Sequence, residues 1–154
     1  VNQARRIESG ILSWGVDMSQ NENPFQVGLG RLVETETRDN FIGKKAIIKL
    51  SKLNQKKVLV GMKLNTTNFL NNETSWNINN DSIIIGKLTS VSFSPRLKYN
   101  IGLGIIDTNY SKIGSKFIVE AYDELVEAEV VPLPFMDKKQ MVNAKELAKK
   151  FYSN

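Results

Sequence analysis

The sequence contains no cysteine and no histidine. Disulfides, thiolate nucleophiles and cysteine-ligated metals are therefore excluded. Neither a common zinc site nor a common catalytic triad can be assembled from these residues. Aromatic residues are few, at 8%, and do not alternate with basic ones as a groove for single-stranded nucleic acid requires. No apolar run approaches the roughly eighteen residues of a membrane-spanning helix, and no signal-peptide pattern is visible. No nucleic acid, no membrane and a cytoplasmic setting are the resulting expectations.

What remains is an ordinary globular composition. With 154 residues and 41% apolar content, one domain, or one small domain plus an appendage, is expected. The net charge of +5 is spread over scattered lysines. The densest groups, Gln55-Lys56-Lys57 and Lys138, Lys139, Lys149 and Lys150, read as solvated faces. The sequence starts at Val1 inside an organised pattern, so natural sequence upstream is expected.

Ala4, Ile7 and Ile11 fall at helical spacing, which predicts a helix ending over residues 3–12 with Gly10 as its stop. Trp14-Gly15 turns the chain, and Asn21 to Pro24 read as loop. Residues 25–33 predict a short strand in which Gly28 and Gly30 allow a bend or close backbone approach. Asp39 or Asn40 is the expected cap of a helix over residues 41–53, whose Ile42, Ala46, Ile47 and Leu50 share a face. From Lys57 the period changes to two. Strands are expected at 58–64, 83–93, 101–106, 116–122 and 125–131, with a polar loop at 65–72. The strand at 101–106 reads as buried on both sides. Phe117, Val119 and Ala121, then Val126, Ala128 and Val130, alternate inward around Asp123-Glu124, which is a hairpin signal. Short strands at this spacing argue for a small antiparallel barrel or sandwich. Pro132 and Pro134 end the last strand, and Asp137 caps an expected terminal helix over 137–152.

Few residues carry chemistry. Arg6, if it points inward, needs a carboxylate partner, either a ligand's or the protein's own; otherwise it forms a surface salt bridge. Trp14 beside Gly15 is either an aromatic wall or core. Asp17 reads as a cap or turn residue, or an acid or base. Trp76, in a polar stretch between strands, reads as a plug over a barrel end. Arg96 stands on a turn and either binds an anion or is solvated. Gly102-Leu103-Gly104 lacks the third glycine, the basic residue and the following helix of a phosphate loop, which excludes that reading. No paired carboxylates with catalytic spacing appear.

The order of short motifs is more informative. Arg6-Ile7-Glu8-Ser9-Gly10, Trp14-Gly15, Asp17, Asn23-Pro24, Val27-Gly28-Leu29-Gly30 and Phe41-Ile42-Gly43-Lys44-Lys45-Ala46 resemble the glycine-cleavage T-protein family, which reads R-L-E-A-G, Y-G, D or E, N-P or T-P, A-G-L-G and F-I-G-K-x-A. Ile85-Gly86-Lys87-Leu88-Thr89-Ser90, Phe93-Ser94-Pro95, Asn100-Ile101-Gly102-Leu103-Gly104 and Pro134-Phe135 continue the resemblance. It implies a mixed α+β, mainly β fold: a small antiparallel β-barrel at 57–135 with flanking helices, preceded by the tail of an α/β folate-binding domain at 1–53. It also implies tetrahydrofolate as cofactor and a small one-carbon donor as substrate, with no protein partner specified. Arg6 occupies the position of the arginine that lies near the folate, and Trp14 that of a neighbouring aromatic. The catalytic carboxylate is expected upstream, so this stretch alone should be inactive. Trp14 for Tyr, Arg5 for an apolar residue, Arg96 for Thr, and Met136-Asp137 after Pro-Phe depart from the pattern and fit a divergent paralogue, such as a demethylase. The alternative is a non-catalytic folate-binding or interaction module.

Overall fold

The computed structural model describes residues 3–36 and 40–136. The period-two segments close on themselves. Strands β1 (Lys57–Leu64), β2 (Trp76–Asn80), β3 (Ile83–Ser94), β4 (Tyr99–Asp107), β5 (Lys116–Ala121) and β6 (Glu124–Val131) form a closed barrel in the order β1-β4-β3-β2-β5-β6. Every pairing is antiparallel. Closure leaves no strand edge open to a second chain. Two short helices, α1 (Gln3–Glu8) and α2 (Lys44–Ser51), flank it. The mainly β architecture expected from the alternation is the one observed.

Alternation decides which side chains fill the barrel. Phe117, Val119 and Ala121 of β5 and Val126, Ala128 and Val130 of β6 point inward, where they meet Met62, Leu64, Ile78, Leu88, Val91 and Ile106. Strand β4 is buried on both sides from Asn100 to Gly104. Its Ile106 faces the interior, whereas Ile101 and Leu103 face out and form a second cluster with Ile7 of α1. Leu12, Leu59, Leu97, Tyr99, Leu133 and Phe135 pack around that cluster. Helix α1 thus covers the outer wall of the barrel. Ile7, fully buried, contributes about 1.5–3 kcal/mol to that attachment.

Three expectations need correction. Residues 25–33 are not a strand: they form turns and a 3-10 turn at Gly30–Leu32. Gly28 sits at φ +71° and Leu29 N–H donates to Pro24 O at 2.8 Å, so the glycines bend the chain back on itself. The second helix is shorter than 41–53 because Gly43, at φ +86°, is its N-cap, with no side-chain cap from Asn40 or any other residue. None of its residues is fully buried. Third, Trp76, expected in a polar stretch between strands, is the first residue of β2; it is part of the barrel core, buried at 6% exposure and edge-on to Tyr122 at 5.1 Å. Asn77, Asn79 and Asn80 hid this strand, since asparagine is depleted from strands. Its interior contribution comes from Trp76 and Ile78. As expected for residues 101–106, Gly102 and Gly104 are strand residues, and they face the barrel interior. They leave room for Leu88 and Ile78, whose side chains would lie 2.9 Å and 3.2 Å from an added Cβ. The terminal helix expected at 137–152 falls outside the described residues.

Candidate functional site

The N-terminal segment and β3 meet through buried polar groups. Arg6 and Glu8 are two apart on α1 and cannot share one neighbour. Each takes its own hydroxyl on β3. Ser94 Oγ donates to Glu8 Oε1 at 2.6 Å and accepts from Leu97 N–H at 3.0 Å. Arg6 Nη2 donates to Ser90 Oγ at 2.7 Å. Arg6 Nη1 donates to Ile11 O at 2.9 Å and to Asp17 Oδ2 at 2.5 Å. The inward arginine therefore has the protein's own carboxylate as partner, and the pair is nearly dry, with side-chain exposures of 10% and 0%.

Asp17 is satisfied on both oxygens. Oδ2 also accepts Ser13 N–H at 2.8 Å. Oδ1 accepts Ser90 Oγ–H at 2.5 Å and Thr89 Oγ1–H at 2.7 Å. Four donors thus occupy the two oxygens of this carboxylate. The loop that carries it closes through Gly15 N–H to Met18 O at 2.7 Å and Asp17 N–H to Ser13 O at 2.9 Å, with Gly15 at φ +81°. A side chain at that φ would be strained.

This loop forms one wall of a cavity of about 620 Å³. Gly15 to Ser19, with Asn21, Glu22 and Gln26, face Ile84 to Lys87, Thr89, Ile105, Asp107 and Lys57 on the barrel. Val16 and Ile84 are exposed apolar groups on the two walls. The cavity offers apolar surface, amides, hydroxyls, two lysines and the carboxylates of Asp17, Glu22 and Asp107.

The sequence-level candidates fall in different places. Arg6 lies behind Asp17, and Trp14 stands on the surface at 66% exposure, next to the first lining residue, Gly15; it is not core. Arg96 is exposed on the β3–β4 turn. The residues that sequence reasoning passed over are Asp17 as ion-pair partner and Thr89-Ser90 as its receptor. No period-two signal marked the receptor, because the bulge after Leu88 puts Ser90 on the outer wall, paired with the outward Leu103.

Residues 57–137 match the sequence profile of the glycine cleavage T-protein C-terminal barrel domain. The chain belongs to that family. Among curated T-protein relatives, the aminomethyltransferase of Listeria monocytogenes serotype 4b is 34% identical over 130 residues, covering 84% of this chain and 35% of the relative. That of Prochlorococcus marinus is 35% identical over 130 residues, covering 84% of this chain and 34% of the relative. Matches of that length are longer than the whole stretch from Lys57 onward, so they reach into the N-terminal segment. The crystal structure of glycine cleavage system aminomethyltransferase T from Bartonella henselae superposes with a TM-score of 0.78 at 23% identity, over 87% of this chain and 37% of that one. The chain spans about a third of the length of these T-protein relatives.

Proposed function

We propose that this chain is the C-terminal part of a tetrahydrofolate-dependent aminomethyl- or methyltransferase, in which residues 1–53 complete the folate-binding region and 57–135 form the barrel domain. The observation that carries the reading is the joint between the two. Arg6, Glu8 and Asp17 of the N-terminal motifs bond to Thr89, Ser90 and Ser94 of the barrel motifs. The motifs that define the resemblance are thus two sides of one packed unit.

The residues present suit a flat, polar heterocycle with an acidic tail. Trp14 offers an exposed indole face for stacking. The Arg6 side chain keeps 10% of its surface exposed. Arg6 would hold an acceptor on the folate through that exposed part. When bound, the folate supplies the ring nitrogens that accept the one-carbon unit, and this chain contributes orientation and shelter from water. The catalytic carboxylate would come from the other two-thirds of the protein. The departures at Trp14 and Arg96 favour a donor other than the aminomethyl carrier of glycine cleavage, such as a sulfonium or N-methyl compound.

Calorimetric titration of the full-length protein with tetrahydrofolate tests the reading. Arg6→Ala is a poor probe, because it leaves Asp17 as a buried unpaired charge, a loss of about 3–5 kcal/mol in folding. Arg6→Lys retains the charge but not the planar fork. It is expected to weaken folate binding about ten- to hundredfold, with a much smaller change in melting temperature. Equal affinities would remove Arg6 from the folate site. The purified 154-residue chain should transfer no one-carbon unit, and turnover by it would refute the assignment of catalysis to residues elsewhere. Folate binding by the full-length protein with no turnover of any donor would favour the non-catalytic alternative.

A further inference from the structure

Between Glu8 and Val27 every residue is at least partly exposed except Asp17. At its start Leu12 packs on the Ile7–Ile101–Leu103 cluster, but Ile11, Trp14 and Val16 are all more than half exposed. Beyond Leu12 the anchor is a carboxylate, and the barrel is built to receive it. In a regular strand, consecutive side chains point to opposite faces, so Thr89 and Ser90 should not reach one acceptor. Strand β3 carries a bulge at this point: Leu88 pairs with Gly104 and Ser90 with Leu103, which leaves Thr89 as the extra residue. The bulge re-aims one hydroxyl, and both then donate to Asp17 Oδ1.

We infer that Asp17 is a positioning residue: seated in the hydroxyl receptor of the β3 bulge, it orients the ligand-facing edge of Arg6 and holds the 13–18 loop as the cavity wall. The inference rests on the folate reading for its ligand but not for its geometry. Nη1 of Arg6 is held by Asp17 and Ile11 O, and Nη2 by Ser90, whose hydroxyl is itself oriented by Asp17. Loss of the negative charge therefore releases Arg6 on two sides at once. It also frees Val16 and Met18, neighbours of Asp17 on the wall.

The test is a double-mutant cycle in the full-length protein with tetrahydrofolate as probe. Asp17→Asn is nearly isosteric and keeps an acceptor. It is expected to weaken binding about tenfold, as Arg6→Lys does, and the double variant should be no weaker than the worse single one, because both act on one guanidinium. Thr89→Val removes one donor from the receptor and should act in the same direction by about threefold. In turnover assays these losses should appear in KM, with kcat at saturation retained. Additive effects, or wild-type affinity in Asp17→Asn, would overturn the role toward Arg6. If Asp17→Asn does not fold, Thr89→Val decides by the same two criteria. Should the wild type not bind tetrahydrofolate, the folate reading fails, and hydrogen exchange then decides the wall separately. Faster exchange at residues 13–18 in Thr89→Val, with the barrel still protected, supports the anchor; unchanged exchange there overturns it.

Discussion

At Gly86 a single added methyl group would force two strands apart. Its Cβ would lie 2.3 Å from Ile105 O and 2.7 Å from Ile106 Cα, both backbone atoms of the paired strand. Neither can move without breaking the β3–β4 ladder that seats Thr89 and Ser90. Gly86→Ala is expected to lower the stability of the chain by about 2–4 kcal/mol, read as a fall in the urea midpoint. Gly15 differs, because an added Cβ meets nothing within 4 Å and only the φ of +81° resists it. Gly15→Ala should therefore cost less, about 1–2 kcal/mol. A larger loss at Gly15 than at Gly86 would contradict this ranking. Neither role was visible beforehand: a glycine in a motif does not show whether space or backbone angle selects it.

Among the elements, the β1–β2 connection shows how polar residues can order a loop. Asn100, fully buried on β4, accepts Leu70 N–H at 2.9 Å and donates to Asn68 O at 2.8 Å and Thr66 O at 3.3 Å. Asn72 accepts Val91 N–H at 2.7 Å and donates to Thr74 O and Thr89 O. Asn100→Leu would leave buried backbone groups without partners, at a cost of about 2–3 kcal/mol. Exchange of the Leu70 amide should accelerate, and an unchanged rate would mean that the loop is held by other contacts. Helix α2 stands at the other extreme. None of its residues is fully buried and no side chain caps it, so its amides should exchange far faster than those of β4. The asparagines of 65–72 were legible as loop; their inward anchors were not, because a loop's hydrogen-bond partners lie on strands distant in sequence.

For the whole molecule, two properties follow from what is present and absent. With no histidine and no cysteine, no side chain has an ordinary pKa between about 5 and 10. Stability should be flat from about pH 6 to 9. Two groups act above that window. The Lys116 ammonium is raised above its usual 10.5 by its hydrogen bond to Glu127 and by that residue's charge; the Tyr99 phenol is raised above 10.0 by burial. A raised folded pKa means that the contribution is complete below the unfolded value and is lost as pH rises through the folded one. On the alkaline side, melting curves should decline only in that range, and weakly, since the Lys116–Glu127 pair is exposed and screened. A shift of several degrees between pH 6.5 and 8.5 would refute the assignment. The second property is an uncovered apolar surface on the N-terminal segment, where Trp14, Leu32 and Ile42 are 66%, 64% and 105% exposed. The separate chain is expected to self-associate with rising concentration. Ile42→Lys should reduce that without moving the urea midpoint, which sedimentation and unfolding measured together would check.

The sequence by itself determined the barrel strands that alternate. The inward positions of β5 and β6 were readable to the residue, since a period of two leaves only one choice of face. It also determined the negative chemistry, because absent residue types cannot be restored by folding. The ordered motifs indicated the family. Tertiary structure alone decided the rest. Strand β2 forms although asparagines fill it, because Trp76 and Ile78 have an interior to enter and β3 and β5 supply its hydrogen bonds. Residues 25–33 lack a partner strand, so their apolar content produced turns instead. Asp17 became an anchor only through a bulge more than seventy residues away. No local pattern encodes that pairing, because a carboxylate's role depends on which donors surround it, and here the barrel's closure brings them.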